Sequence, residues 1–214
     1  MKKVNVGVLD YGMGNLRSVE KAFVQAGANA FVSDNPKRLS RADMLVVPGV
    51  GAFDAAMKTL KSKKLDVFIR DWVGAGKPYF GICLGLQLLF ESSEEAPGVR
   101  GLAVLKGEVV KFRPSDKRLK VPHMGWNEVH PAHSARRGEK NFLPSSEFFY
   151  FVHSYAPRPA DRSVVWATTP YGAEFCSAVA KGNLLATQFH PEKSGPAGLR
   201  FLKALLNHVS KIQR

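Results

Sequence analysis

A cysteine stands between two glycines in the stretch GICLG, residues 81–85, of a chain that contains only two cysteines. The spacing G-x-C-x-G is the cysteine counterpart of the nucleophile elbow, in which a strand turns sharply into a helix and the nucleophile lies at the apex. Gly81 and Gly85 would prevent clashes between the strand, the turn and the helix, and the helix N-terminus would favour the thiolate of Cys83. The pattern predicts a catalytic cysteine, and the alternative is a small apolar residue that fills the core.

A nucleophilic cysteine needs a base and a group that orients the base, and His190 and Glu192 are the predicted pair. His190 ends the predicted strand LLATQFH, residues 184–190, and a proline stops that strand. Glu192 could fix the imidazole tautomer while the other ring nitrogen faces the sulfur. The alternative is an ordinary turn at a strand end. His123 and His153 border predicted strands and are interpreted as core histidines.

The glycine-rich stretch PGVG, residues 48–51, follows a predicted apolar strand and matches neither the dinucleotide-binding fingerprint nor the P-loop. Gly49 and Gly51 would let the backbone approach a ligand closely. One N–H group of the segment from Val50 to Gly51, together with the N–H group of Leu84, would then form an oxyanion hole. The alternative is a plain tight turn.

The elements that would position these residues alternate between strands and helices over residues 4–90. Alternating valines predict an opening strand, and the helix after it has Asn15 as its N-cap and Gly27 as its C-terminal stop. This alternation predicts an α/β fold, with a mostly parallel central sheet flanked by helices. From about Glu108, short runs closed by proline, glycine or asparagine predict an added antiparallel section on the same sheet system.

Composition narrows the class of protein. The 214 residues are 45% hydrophobic and 23% charged, which suits a single globular domain over residues 1–214. The opening run, residues 4–9, is too short for a signal peptide, no apolar run approaches the length of a membrane span, and two cysteines make no disulfide framework, so a cytoplasmic location is expected. The net charge is +13, and the densest groups of lysine and arginine contain no interleaved aromatic residues. This pattern is more typical of solvated faces than of a nucleic-acid-binding surface. No cysteine–histidine cluster offers a metal site.

Several stretches together carry a family resemblance. GICLGLQLLF, FHPE and PGVG resemble the class I glutamine amidotransferases, which use a Cys-His-Glu triad. DYGMGN at residues 10–15, VPHMGWNEV at 121–129 and FVHSY at 151–155 narrow the resemblance to the glutaminase subunits of imidazole glycerol phosphate synthase. The resemblance spans essentially the whole chain. It implies a class I glutamine amidotransferase-like fold, glutamine as the substrate, no cofactor and no metal.

The resemblance also implies roles for individual residues. Cys83, His190 and Glu192 would be the catalytic triad. Gln87 lies one helical turn beyond Cys83 on the same face, so its amide can reach a substrate. The residues that would hold glutamine are Gly51, Gln87, Ser154 and Tyr155.

The family implies a partner. Its members deliver ammonia to a separate cyclase subunit, a (β/α)₈ barrel, in a heterodimer. The cyclase makes imidazole glycerol phosphate and an aminoimidazole carboxamide ribotide in histidine biosynthesis. The residues expected to face this partner are Asn15, Trp126, Tyr150 and Lys193. Trp126 and Tyr150 could instead be core aromatics.

Two other classes stay open on the residues alone. One is a stand-alone cysteine hydrolase or peptidase on a similar sheet, which a thioester at Cys83 after incubation with glutamine would exclude. The other is a binding protein that uses its basic surface for nucleic acid, and an intact triad argues against it.

Overall fold

The alternating valines near the N-terminus form strand β1 (Asn5–Leu9) in a computed structural model that describes residues 3–114, 116, 118–132 and 142–212. Helix α1 (Leu16–Ala26) begins where Asn15 Oδ1 accepts a hydrogen bond from the Ser18 N–H at 3.2 Å, and it ends at Gly27, which has φ 108°. A side-chain N-cap and a left-handed glycine are the expected ends of a helix, so both predicted ends are confirmed.

The other elements follow in chain order. The remaining strands are β2 (Asn29–Ser33), β3 (Met44–Gly49), β4 (Tyr79–Cys83), β5 (Ser92–Ser93), β6 (Gly107–Lys111), β7 (His123–Pro131), β8 (Glu147–His153), β9 (Tyr155–Pro159), β10 (Val165–Tyr171), β11 (Ala173–Lys181) and β12 (Leu184–Thr187). The remaining helices are α2 (Pro36–Leu39), α3 (Phe53–Ser62), α4 (Leu65–Gly74), α5 (Leu84–Gln87) and α6 (Gly195–Ile212). Short 3₁₀ turns cover Arg162–Val164 and Pro191–Lys193.

The described residues form a nine-stranded sheet in the order β2-β1-β3-β4-β12-β11-β10-β7-β8. The first five strands in this order run parallel, and the last four pair antiparallel. The α/β class with a mostly parallel centre and an antiparallel section is therefore confirmed.

The sequence-based assignment of the later strands is wrong in two places. β12 pairs parallel with β4 at the centre of the sheet, and β11 is the neighbour that turns the sheet antiparallel. β6 and β9 leave the main sheet and form a separate three-stranded sheet with β5. The run FFYFVHSYAP therefore forms two strands, because β8 ends at His153 and β9 begins at Tyr155. The Ser154 carbonyl between them accepts a hydrogen bond from the Phe112 N–H at 2.9 Å.

The parallel strands are apolar on both faces because each face packs on helices. In β3, Met44 and Val46 pack in the core shared with α1 and α6, whereas Leu45 and Val47 pack in the core shared with α3 and α4. Burial on both faces is typical of parallel sheets. The carboxyl ends of β1, β3, β4 and β12 meet at one edge, where α/β proteins usually bind ligands. Among the described residues, no helix combines the length and the apolarity that crossing a lipid bilayer requires.

Candidate active site

Cys83 is the last residue of β4 and lies at a strained turn. Its φ of 53° and ψ of −104° are unusual for a residue with a side chain. A Cβ at Gly85 would lie 1.8 Å from the Val47 carbonyl oxygen, and a Cβ at Gly81 would lie 2.7 Å from the Gly85 carbonyl oxygen. The two glycines are therefore needed for the close packing that the elbow pattern predicts. Helix α5 is only one turn long, so its dipole favours the thiolate less than a long helix would.

His190 does not end a strand, which corrects the sequence-based prediction. β12 ends at Thr187, where the chain leaves the sheet. The Thr187 hydroxyl donates a hydrogen bond to the Phe189 carbonyl at 3.0 Å. His190 precedes the 3₁₀ turn Pro191–Lys193, and its N–H donates to the Tyr150 carbonyl at 2.9 Å. Strand β8 therefore holds the histidine in place.

His190 and Glu192 form a buried pair. The His190 Nδ1 lies 2.8 Å from the Glu192 Oε1, and the two side chains are only 2% and 4% exposed. Because the carboxylate accepts this hydrogen bond, Nδ1 carries a proton in both charge states of the ring, and Nε2 is the nitrogen that gains or loses one. The Nε2 atom is buried and has no hydrogen-bond partner among the described residues. This is the tautomer that a general base needs.

Electrostatics link this histidine to the cysteine. Burial lowers the pKa of His190, but the nearby charge of Cys83 and the hydrogen bond to Glu192 raise it further than burial lowers it, to about 10. The site therefore favours the imidazolium form of His190. Burial raises the pKa of the second thiol, Cys176, to about 12, so Cys176 is a protonated core residue at neutral pH.

Ser194 and Gln188 support the site, although no sequence motif singled them out. The Ser194 hydroxyl donates to the His190 carbonyl at 2.6 Å and accepts a hydrogen bond from the Tyr150 N–H at 3.0 Å. The Gln188 Nε2 lies 3.4 Å from the Cys83 sulfur, and the Gln188 Oε1 accepts a hydrogen bond from the Gln87 amide at 3.1 Å. Such residues show no periodic signal, because their partners are distant in the chain.

A cavity of about 520 Å³ opens beside the cysteine. It is lined by Val50, Gly51, Cys83, Leu84, Gln87, Glu95, Pro122, Val152, His153, Ser154, Tyr155 and Lys193. The structure thus brings the residues predicted for the oxyanion hole and for substrate binding around one space. Glu95 was missed from the sequence because it lies in a charged stretch without a motif. Its Oε2 accepts a hydrogen bond from the Phe53 N–H at 3.1 Å.

The two glycines of the PGVG stretch have different reasons to be glycine. A Cβ at Gly49 would lie 2.2 Å from the Tyr11 hydroxyl and 2.9 Å from the Leu84 Cβ. Gly49 thus makes room for protein side chains, which corrects the expectation that it makes room for a ligand. Gly51 has φ 113° and lines the cavity, as predicted for a close backbone approach.

Of the two core histidines, His153 lines the cavity and His123 lies next to it. The His123 Nδ1 lies 3.1 Å from the His153 Nε2, and the His153 Nδ1 donates to the Tyr155 carbonyl at 2.9 Å. The same carbonyl accepts the Gln87 amide at 3.0 Å. Burial lowers the pKa of His123 to about 4 and that of His153 to about 3, so both rings are neutral at pH 7. Their interpretation as satisfied core histidines is confirmed.

The residues predicted to face a partner lie on different elements: Trp126 on β7, Tyr150 on β8, Lys193 in the 3₁₀ turn and Asn15 at the start of α1. Trp126 on β7 is 56% exposed, which excludes a core position, and it lies opposite the half-buried Tyr150 on β8. The Lys193 ammonium lies 5.8 Å from the centre of the Tyr150 ring. Asn15 is exposed and caps α1.

No metal centre is evident in the part of the chain that the structure describes. No three or more histidine, cysteine, aspartate or glutamate side chains gather there in a way that could hold an ion.

The chain is similar to known proteins over nearly its whole length. Residues 7–209 match the family model described as glutamine amidotransferase class-I. The chain is 48% identical over 199 residues to the imidazole glycerol phosphate synthase subunit HisH of Rhodopirellula baltica, covering 92% of this chain and 95% of that protein. It is 50% identical over 203 residues to the subunit of the same name from Syntrophotalea carbinolica, covering 92% and 96%. A solved structure of a glutamine amidotransferase superposes with a TM-score of 0.73 at 22% identity, covering 96% of this chain and 98% of that one.

Proposed function

Because the chain belongs to the class-I glutamine amidotransferase family, we propose that it hydrolyses glutamine to glutamate and ammonia through Cys83, His190 and Glu192. The observation that carries the proposal is the arrangement at one edge of the sheet. A strained cysteine lines a cavity, and a buried histidine–carboxylate pair lies near enough for the charge of Cys83 to raise the pKa of His190. We further propose that residues 1–214 form one glutamine amidotransferase domain. A cysteine nucleophile must stay reduced, which supports a cytoplasmic location.

The proposed reaction has two halves. The Cys83 thiolate attacks the carboxamide carbon of glutamine, and the His190 imidazolium gives its proton to the leaving ammonia. His190 then accepts a proton from water, which attacks the thioester and releases glutamate. Glu192 keeps the imidazole in the tautomer that faces the sulfur.

The oxyanion of each tetrahedral intermediate needs donors that already point at it. Leu84 is the first residue of α5, so helix geometry leaves its N–H without an intrahelical acceptor. The second donor is an N–H group of the segment from Val50 to Gly51, which lines the same cavity.

The cavity also offers groups for the amino-acid end of glutamine. Gly51, Gln87, Ser154 and Tyr155 line it and would hold the substrate. We add Glu95, whose carboxylate is suited to the α-ammonium group of an amino acid.

Ammonia becomes protonated in water and is then no nucleophile, so an enzyme that uses it gains by keeping it from solvent. The relatives carry the name of an imidazole glycerol phosphate synthase subunit. We propose that this chain passes ammonia to a separate cyclase subunit, a (β/α)₈ barrel, in a heterodimer. That cyclase would make imidazole glycerol phosphate and an aminoimidazole carboxamide ribotide. The exposed face of β7 and β8 supports this docking, because Met124, Trp126 and Phe148 are each more than half exposed there.

Glu192→Gln is expected to lower the turnover number less than His190→Ala does. The glutamine side chain can still accept the His190 Nδ1–H hydrogen bond, but it no longer stabilises the imidazolium. In other triads the orienting carboxylate contributes less than the base, by roughly 10- to 100-fold in kcat. Steady-state glutaminase kinetics on both folded variants measure this. Equal losses would contradict the division of roles between base and orienting group.

Glu95→Gln is expected to raise KM for glutamine about 10-fold with little change in kcat. The amide keeps the hydrogen bond to the Phe53 N–H but loses the charge that attracts an ammonium group, and one hydrogen bond to a charged group contributes about 1.5–3 kcal/mol. Glu91→Gln is the matched control, because Glu91 also accepts a backbone hydrogen bond, from the Gly107 N–H at 2.9 Å, and does not line the cavity. An unchanged KM in Glu95→Gln would remove Glu95 from the substrate site.

The function is tested with glutamine labelled with ¹⁵N at the amide. The chain and a cyclase subunit from one of the relatives' synthases are incubated with labelled glutamine, the cyclase substrate and an excess of unlabelled ammonium. We expect release of glutamate and incorporation of ¹⁵N into the imidazole product. Glutamine left intact, with and without the cyclase, would contradict the proposed function.

A further inference from the structure

Tyr11 is a buried tyrosine whose hydroxyl has no hydrogen-bond partner among the described residues. The residue is 0% exposed, and no protein group pairs with its oxygen. An unpaired polar group in a protein interior costs free energy, so such groups are rare and often have a functional reason. The buried hydroxyl of Tyr79, in contrast, donates to the Gly85 carbonyl at 3.0 Å.

The unpaired hydroxyl lies at the base of the segment proposed to supply an oxyanion donor. The Tyr11 oxygen lies 2.2 Å from the position that a Cβ at Gly49 would take, so it lies directly against the Gly49 backbone. Gly49 is also the residue that pairs with Cys83 between β3 and β4. Burial and the charge of Cys83 both raise the pKa of Tyr11, so the hydroxyl keeps its proton and can donate it in a hydrogen bond.

The loop of residues 10–15 touches the same segment at two further points. A Cβ at Gly14 would lie 3.4 Å from the Gly49 Cα, and a Cβ at Gly51 would lie 3.4 Å from the Met13 sulfur. The loop ends at Asn15, which is exposed and caps α1. Residues 10–15 therefore connect an exposed position to the backbone of residues 49–51.

A rotation of the peptide between Gly49 and Val50 would give the hydroxyl a partner. The carbonyl and the N–H of one peptide unit point in opposite directions, so turning the Val50 N–H toward the cavity turns the Gly49 carbonyl to the other side. We propose that Tyr11 is a positioning residue whose hydroxyl donates to the Gly49 carbonyl when the Val50 N–H points at the oxyanion. This inference rests on the proposed glutaminase function.

The hydrogen bond would stabilise the catalytic arrangement and not the arrangement seen here. A bond that forms in only one of two states shifts the population toward that state. Tyr11 would thus favour the state in which the oxyanion hole is complete, and its loss would lower turnover without weakening substrate binding.

Tyr11→Phe in the full chain tests the proposal, with Tyr79→Phe as the matched control. Each variant is measured for kcat and KM with glutamine, alone and with saturating cyclase subunit, and for its Tm. For Tyr11→Phe we expect kcat of the lone chain to fall about 5- to 10-fold, the factor that one ordinary hydrogen bond supplies, and kcat with saturating cyclase to fall by the same factor or less. KM should stay within twofold, and Tm should be no lower than that of the native chain, because an unpaired hydroxyl is removed. Tyr79→Phe should lower Tm, since it leaves the Gly85 carbonyl unpaired, and should keep kcat with and without cyclase.

An unchanged kcat of the lone chain in Tyr11→Phe would overturn the proposal, and so would a fall in Tm as large as that of Tyr79→Phe. Alkylation of Cys83 by iodoacetamide confirms that the elbow is intact in each variant. If the native chain itself hydrolyses no glutamine with or without the cyclase, the proposed function fails. If the native pair is active and Tyr11→Phe matches it, only the role of Tyr11 fails.

Discussion

Replacing Cys83 with alanine is expected to abolish glutamine hydrolysis, with a fall in kcat of roughly 10⁶-fold, the loss measured when a triad nucleophile is removed from a hydrolase. The sulfur is the atom that would bond to the substrate carbon, and no other side chain lies in its place. The variant should fold, because alanine fits the space of the thiol and the elbow is set by Gly81, Gly85 and the packing of β4. Glutamate release and the Tm of the same preparation measure both points.

Two controls test whether the loss is specific to the Cys83 thiol and to the glutaminase reaction. Cys176→Ala makes the same change at a buried thiol whose pKa is raised to about 12, and it should keep glutaminase activity. A complex of Cys83→Ala with the cyclase should still form the imidazole product from added ammonium salt, because only the ammonia source is lost. Glutaminase activity that survives in folded Cys83→Ala would reject Cys83 as the nucleophile.

The second large effect concerns the partner. Glutaminase turnover of the chain alone is expected to rise by about 10²–10³-fold with a saturating cyclase subunit and its nucleotide ligand, the factor that one oxyanion donor supplies in other enzymes. The physical reason lies in residues 49–51. Val50 is 42% exposed and is flanked by two glycines, and Gly51 has a positive φ, so the peptide before Val50 can face either way at low cost.

The stimulation has a physical limit that the same experiment measures. The cyclase can shift the loop population by no more than its difference in affinity for the two loop states. Such a switch would spare the cell from releasing ammonia when no acceptor is bound. Equal turnover of the lone chain and of the complex would contradict the switch, because the oxyanion hole would then be complete before the partner binds.

Local patterns predicted much of this molecule because their signals lie within a few residues. The elbow glycines, the Asn15 cap and the Gly27 stop each depend on neighbouring backbone, and each is where the sequence predicted it. The residues of the proposed triad could be named because the family resemblance implies their types and order.

The missed features depend on contacts between distant parts of the chain. The parallel pairing of β12 with β4 depends on tertiary structure, and no short run of residues encodes it. This pairing ends at Thr187, before His190. Ser194 and Glu95 accept hydrogen bonds from backbone N–H groups on other elements, those of Tyr150 and Phe53. Gly49 was assigned to a ligand because the sequence does not reveal that Tyr11 fills the space beside it.

The most direct measurement of the central claim, that Cys83 is the nucleophile that attacks glutamine, is a peptide mass analysis of the chain quenched in acid during turnover. The account predicts a glutamyl thioester on the peptide that contains Cys83, none on the peptide that contains Cys176, and a smaller amount when the cyclase speeds hydrolysis more than acylation. Turnover of glutamine with no adduct under any quench time, or with the adduct on Cys176, would contradict it.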